Sequence, residues 1–173
     1  MQHARVNNIH WLWLSAAIIA ADQFVKLMIV KHLERFQVVP VLPHLNIVHM
    51  QNTGVAFSMF NTAPAAVFIL LGAVVSAAIL VWLRRNPYRQ RLVAAALTLI
   101  LGGALGNATD RAMRGSVVDF IDFYVGSWHF AAFNVADCAI SVGAGLLILD
   151  MLLDRGRSGT VDGAGDTGSG SRG

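Results

Sequence analysis

Charge is scarce in this chain, and cysteine scarcer still. Asp, Glu, Lys and Arg together make up 13% of the 173 residues against 55% hydrophobic ones, and mean hydropathy is +0.58. That balance excludes an ordinary soluble globular domain. The single cysteine, Cys138, excludes an internal disulfide and offers no metal cluster, so the framework has to come from helix packing. A formal net charge of +3 raises the question of a nucleic-acid partner. The basic residues, however, stand beside hydrophobic runs instead of alternating with aromatics on a polar surface, and membrane topology accounts for them better. What the chain has in abundance is apolar length, and it reads as a small integral membrane protein.

A helix that crosses a bilayer needs about 20 mostly apolar residues. Four stretches approach this, at about 9–30, 63–83, 92–109 and 130–153. The second carries no charge, and the third ends in Gly102, Gly103, Ala104, Leu105 and Gly106, small residues that let a neighbouring helix come close. Arg84, Arg85, Arg89 and Arg91 crowd the link between the second and third spans, Arg155 and Arg157 follow the fourth, and Arg5 precedes the first. Basic residues mark cytoplasmic loops, which places both termini inside and residues 31–62 and 110–129 on the outer face. Lys31, Arg35, Arg111 and Arg114 run against this bias, but the 84–91 cluster is short and dense and decides the orientation. Arg5 ahead of an apolar run ending in Ala20 and Ala21 also resembles a cleaved signal peptide. Apolar character continues past Asp22 through Phe24, Val25, Leu27 and Met28, which suits a retained first helix.

Between the first two spans, residues 36–43 and 45–50 are rich in β-branched residues and carry Pro40 and Pro43. Both features favour extended edge strands, and a small sheet on the membrane surface is expected there. Residues 156–173 are rich in Gly, Ser and Asp and read as a disordered cytoplasmic tail. The expected fold is an all-α membrane protein, a four-helix transmembrane domain over 1–155 with a small extracytoplasmic β-sheet.

Acids stand out against this background, because an ionised carboxylate near lipid is costly and is retained for a use. Asp119 sits among Val117, Val118, Phe120 and Ile121, apolar enough to seat a loop in the interface, and that loop must fold back to reach the fourth span. Asp137 lies seven residues from Phe130, roughly 10 Å into the fourth span at 1.5 Å per residue, with Asn134 one turn away and able to donate a hydrogen bond. Two carboxylates brought together can share a proton and activate water, the logic of an aspartic protease. A buried, satisfied carboxylate is the plainer reading of Asp137. Asp22 and Lys26 are four apart and can form an ordinary intrahelical pair. Asn52, Thr53 and Gly54 can be a simple turn. Asn107, Asp110 and Arg111 share a helix face, where a helix-end salt bridge would suffice to explain them. Asp122 reads as a solvated loop carboxylate and Cys138 as a small packing residue.

Taken together and in order, these blocks resemble the lipoprotein signal peptidase family (signal peptidase II), the membrane aspartic peptidases of bacteria. The blocks are Asp22 with Lys26; Asn52 to Phe57; Gly102 to Asn107 with Asp110 and Arg111; Val118, Asp119 and Phe120; and Phe133 to Asp137. Each is weak alone, whereas their spacing across four spans is specific. The resemblance implies that Asp119 and Asp137 are the catalytic pair and that Asn52, Gly54, Asn107, Arg111 and Asn134 line or brace the site. Asp22, Lys26 and Asp110 lie close by as support. It implies a prolipoprotein substrate whose cysteine carries diacylglycerol, cleaved on the amino side of that cysteine near the outer face of the bacterial inner membrane. Membrane lipid is then the other partner, the enzyme acts as a monomer without nucleic acid, and no metal or organic cofactor is needed. The rival reading is a small proton-coupled transporter, which would spread charged residues through the depth of several spans and often carry an internal repeat. A non-catalytic assembly subunit is a third.

Overall fold

In a computed structural model, residues 8–54, 63–85 and 90–158 are described. Each apolar stretch becomes a helix: α1 Leu12–His32, entered through a 3₁₀ turn at Asn8–Trp11, α2 Ala65–Arg85, α3 Arg91–Arg114 and α4 Val135–Ser158. All four are long and apolar enough to cross a membrane. Their surfaces are those of a protein solvated by lipid: Leu70 is 66% exposed and Phe24 63%, while Asp22, Lys26, Asp110 and Asn134 are 0% exposed. Water would reverse that distribution, whereas hydrocarbon drives polar groups inward to find one another.

α3 is the central helix and packs against the other three. Lipid tails are as apolar as leucine, so contact between spans depends on close packing, and small residues set it. A Cβ on Gly103 would overlap the carbonyl oxygen of Ala136 in α4, and one on Gly143 would stand 2.6 Å from the carbonyl oxygen of Ala96 in α3. The two backbones therefore touch along this seam. On the opposite side of α3, Ser15 Oγ donates to the Thr98 carbonyl at 2.6 Å and pins α1.

Above the helices lies one antiparallel sheet in the order β1–β2–β3–β4, with β1 Val38–Leu42, β2 Leu45–Asn52, β3 Val117–Val125 and β4 Trp128–His129. β1 and β2 fall where strand material is expected. β3 does not, because residues 117–125 read as an interfacial loop. Val117, Val118, Phe120, Ile121, Phe123, Tyr124 and Val125 are strong strand formers, and β2 offers them a paired edge, with Met50 opposite Asp119 and Asn52 opposite Val117.

Two helix ends also differ from the expected spans. α3 runs to Arg114, beyond the expected end at 109, because Arg114 pairs across one turn with the fully buried Asp110. α4 starts at Val135, not at about 130, because the residues before it are extended along β3. Phe130 N–H donates to the Phe123 carbonyl, Phe133 N–H to that of Ile121, and the Phe133 carbonyl accepts from Phe120 and Ile121. Backbone groups committed to a sheet cannot also begin a helix, so Asp137 lies in the first turn of α4 and not 10 Å along it. Helix continues through residues 156–158, the start of the expected tail. The remainder of that tail, Arg5, Val55, Ala56, Phe57 and Arg89 lie outside the described residues.

Gly103→Val should force α3 and α4 apart, lowering stability in detergent by about 1–3 kcal/mol and reducing activity with it. Gly145→Ala, where a Cβ would meet nothing within 4 Å, should change neither. Thermal unfolding of the two variants side by side checks this.

Candidate active site

The tight seam between α3 and α4, and the strand pairing that precedes α4, bring four segments to one point. β3 supplies Asp119, 3% exposed, and α4 supplies Asp137, half-buried in its first turn. Asn134 caps the helix. Its Oδ1 accepts from the Asp137 N–H at 2.9 Å, and its own N–H donates to Asp137 Oδ2 at 3.2 Å. This reciprocal arrangement satisfies two helix-start groups at once and fixes the Asp137 rotamer. The Asn134 side-chain amide then faces the other way and donates to Asp119 Oδ1 at 2.7 Å. One residue thus holds both carboxylates.

Two further asparagines complete the cradle. Asn52 Oδ1 accepts from the Gly54 N–H at 2.9 Å, an Asx turn that leaves Nδ2 to donate to Asp119 Oδ2 at 3.1 Å. Asn107 Nδ2 donates to Asp137 Oδ1 at 2.8 Å. All four carboxylate oxygens accept a hydrogen bond from an N–H group, yet among the described residues neither aspartate has an ion-pair partner. Burial pushes the Asp119 carboxyl up to about 7, and the charge of Asp137 pushes in the same direction; the amides of Asn52 and Asn134 and the ammonium of Lys26 oppose both.

Behind this pair lies a charged group of different character. Lys26 Nζ is 2.8 Å from Asp22 Oδ2 and 2.9 Å from Asp110 Oδ2, with all three side chains fully buried, and donates to Asn107 Oδ1 at 3.1 Å. The Asp22–Lys26 pair is therefore as the spacing suggests. Asp110, however, pairs with Lys26 and Arg114, not with its neighbour Arg111. Each acid also ties down an element: Asp22 Oδ1 accepts from the Ala136 N–H at the start of α4, and Asp110 Oδ2 accepts from the Val118 N–H of β3. Arg111 turns to the cavity instead. It donates to the Gly54 carbonyl at 2.6 Å, and its guanidinium stacks over the Phe68 ring, 4.8 Å from the centroid.

A cavity of about 790 Å³ opens in front of the two aspartates. Asn52, Asn107 and Arg111 share its polar end. Phe68, Leu71 and Val75 of α2, Ile100 and Ala104 of α3 and Ile140 of α4 make an apolar wall. Cys138, read from sequence as a packing residue, also lines it. Among the described residues no group of three or more His, Cys, Asp or Glu side chains is arranged to hold a metal ion.

Every residue singled out from sequence for the site is in this assembly. Two participants were missed. Gln23 donates to Asp22, Asp110 and the Gly106 carbonyl, and Arg114 completes the Asp110 pair. A second polar residue beside Asp22 on a lipid-embedded helix was the available signal for Gln23. Asp122 needs correcting: it is not a solvated loop acid but lies 7% exposed on β3, accepting from Asn46 Nδ2 at 2.8 Å and bonded to His129 Nδ1 at 2.9 Å. Those partners come from β2 and β4, away from the Asp119 site.

A family model described as signal peptidase (SPase) II matches residues 14–153. Lipoprotein signal peptidases are similar along most of the chain. That of Alteromonas mediterranea is 40% identical over 92% of this chain and 90% of its own length. That of Haemophilus ducreyi is 43% identical over 88% and 96%. Two solved bacterial membrane enzyme structures, both obtained by the in meso method, share the fold. One has a TM-score of 0.79 at 24% identity, covering 97% of this chain and all of its own. The other has a TM-score of 0.75 at 27% identity, covering 87% and 98%. With four helices of spanning length, these relationships make the protein a multi-pass component of the bacterial inner membrane. The chain belongs to the signal peptidase II family and is a membrane-embedded protease.

Proposed function

We propose that the chain removes the signal peptide from prolipoproteins whose cysteine already carries diacylglycerol, cutting on the amino side of that cysteine with water activated by Asp119 and Asp137. The observation that carries this reading is the double role of Asn134. It holds both carboxylates at the polar end of an apolar cavity, with all four oxygens supplied with donors and, among the described residues, neither acid in an ion pair.

Two close carboxylates cannot both ionise cheaply in a desolvated site, so the pair retains one proton. The ionised member takes a proton from water as the water oxygen attacks the scissile carbonyl carbon. The protonated member gives its proton to the carbonyl oxygen, and a tetrahedral diol results. Collapse returns one hydroxyl proton to the second aspartate, while the first passes its newly acquired proton to the leaving nitrogen as the C–N bond breaks. The products are a signal peptide with a free carboxylate and a mature chain with a free amine on its lipidated cysteine. Asn52, Asn107, Asn134 and Arg111 hold the acids and the cavity mouth, and the buried group of Asp22, Lys26 and Asp110 braces them from behind.

The apolar wall between α2 and α4 suits the hydrophobic segment of a signal peptide. A lipidated cysteine would hold its scissile bond near headgroup level, where the sheet meets the helices. With both termini cytoplasmic, as the arginines at 84–91 suggest, the pair faces the outer side. The enzyme acts as a monomer.

Asp119→Asn and Asp137→Asn should each lower cleavage by about a thousandfold or more, with the thermal transition in detergent preserved; a folded, fully active Asp137→Asn protein would sink the assignment. Purified protein should cleave a diacylglyceryl-modified precursor and leave the unmodified one intact. Activity should decline as pH rises past about 7, since Asp119 is raised to about 7 and the shared proton is lost above that point. A pH–kcat/KM profile that stays flat to about pH 9 would contradict a one-proton pair.

A further inference from the structure

The side-chain amide of Asn107 has two ends and one permitted orientation. Its Oδ1 accepts from Lys26 Nζ at 3.1 Å and from Asn134 Nδ2 at 3.3 Å, and its Nδ2 donates to Asp137 Oδ1 at 2.8 Å. Turned over, the amide would set its NH₂ against an ammonium and a second NH₂, and its oxygen against a carboxylate. Lys26 enforces this orientation with a fully committed head group, whose three donors go to Asp22, Asp110 and Asn107.

The two aspartates are therefore held unequally. Asp137 accepts from an amide with an ammonium behind it, a chain in which each hydrogen bond polarises the next, and from the Asn134 N–H at the start of α4, where the helix dipole favours negative charge. Asp119 accepts from Asn52 and Asn134, whose oxygens accept from the backbone N–H groups of Gly54 and Asp137, and it sits on a strand. Among the described residues, the charged and titratable groups acting on Asp137 are Lys26 and Asp22 of α1, Arg111 of α3 and Asp119 of β3, with Cys138 beside it on α4; Asp110 of α3 stands behind Lys26. Of the cations facing Asp137 among the described residues, Lys26 is the one joined to its carboxylate through an intervening side-chain amide, that of Asn107.

We infer that Lys26 is a positioning residue for the cleavage reaction: through Asn107 it makes Asp137 the ionised member of the pair and leaves the shared proton on Asp119. This rests on Asp119 and Asp137 being the reacting pair. Asp137 then takes the proton from water and later delivers it to the leaving nitrogen, while Asp119 protonates the carbonyl oxygen and recovers its proton from the diol. Burial of Asp119, which pushes its carboxyl up to about 7, acts in the same direction.

The test pairs Lys26→Met with Asp22→Asn, so that one positive and one negative charge leave the buried group together while the new amide oxygen can still accept from the Ala136 N–H. With a lipidated precursor, kcat should fall about tenfold or more while KM stays within about twofold. The acidic limb of the kcat/KM profile should move up by about one pH unit. Lys26→Arg, which retains the charge, should return the limb towards its original position. A folded double variant with an unmoved acidic limb overturns the inference. Infrared spectra supply a check that needs no Lys26 variant: at about pH 5 the protonated-carboxyl band should be absent from Asp119→Asn and present in Asp137→Asn, and the reverse overturns the assignment. Should Asp119→Asn still cleave, the underlying reading fails. Should it be inactive while the limb stays fixed, only the role of Lys26 fails.

Discussion

A carboxylate removed from water has to be answered by a cation, by hydrogen-bond donors or by a proton, and the way four aspartates are answered organises this molecule. Asp22 and Asp110 receive cations, sharing Lys26, with Arg114 added to Asp110. Among the described residues, Asp119 and Asp137 receive N–H donors from asparagines and backbone and no cation. A buried ion pair is weak evidence of stability, since desolvation consumes much of the attraction, but losing one partner is severe. The first pair of acids is therefore tied up, and the second pair retains the capacity to exchange protons. Residues of a single type become two chemical classes through their neighbours alone.

The cation-bound acids also connect elements. Asp22 holds the first backbone groups of α4, and Asp110 holds β3 one residue before Asp119. A charge network buried between α1 and α3 thus sets the position of the strand and the helix that carry the site. The seam at Gly103 and Gly143 brings α4 close enough to be held. Charge spread through the depth of several spans, as the transporter reading required, is not what these residues form; the acids of the site gather where the helices meet the sheet.

Much of this was legible locally. The four helices follow from apolar length, and the pairings of Asp22 with Lys26 and of Asn134 with Asp137 follow from helical spacing. What escaped was long-range. Lys26 and Asp110 stand on different spans, far apart in the chain, and nothing within either neighbourhood names the other as partner. A salt bridge within the Asn107, Asp110 and Arg111 group, the plainer reading of that helix end, would have been local, but the chain uses Asp110 to tie α1 to β3 and leaves Arg111 to Phe68 and Gly54. Residues 117–125 have strand composition throughout, yet without a visible partner that composition fits an interfacial loop equally well. Once β2 is in place the strand is the natural outcome, and it carries Asp122 into contact with Asn46 and His129. The start of α4 lies beyond the start of the apolar run for the same reason, since Phe130 and Phe133 are spent on β3.

The reciprocal bonds between Asn134 and Asp137 wind the first turn of the last helix and fix a member of the proposed pair in one act. Winding that turn and setting Asp137 between Asn107 and Asn134 are the same event. Asp119 precedes α4 in the chain, so on the proposed pairing the segment up to β4 carries only one acid of the two. On the proposed pairing, the site is complete only once α4 is in place and its first turn has closed on Asn134.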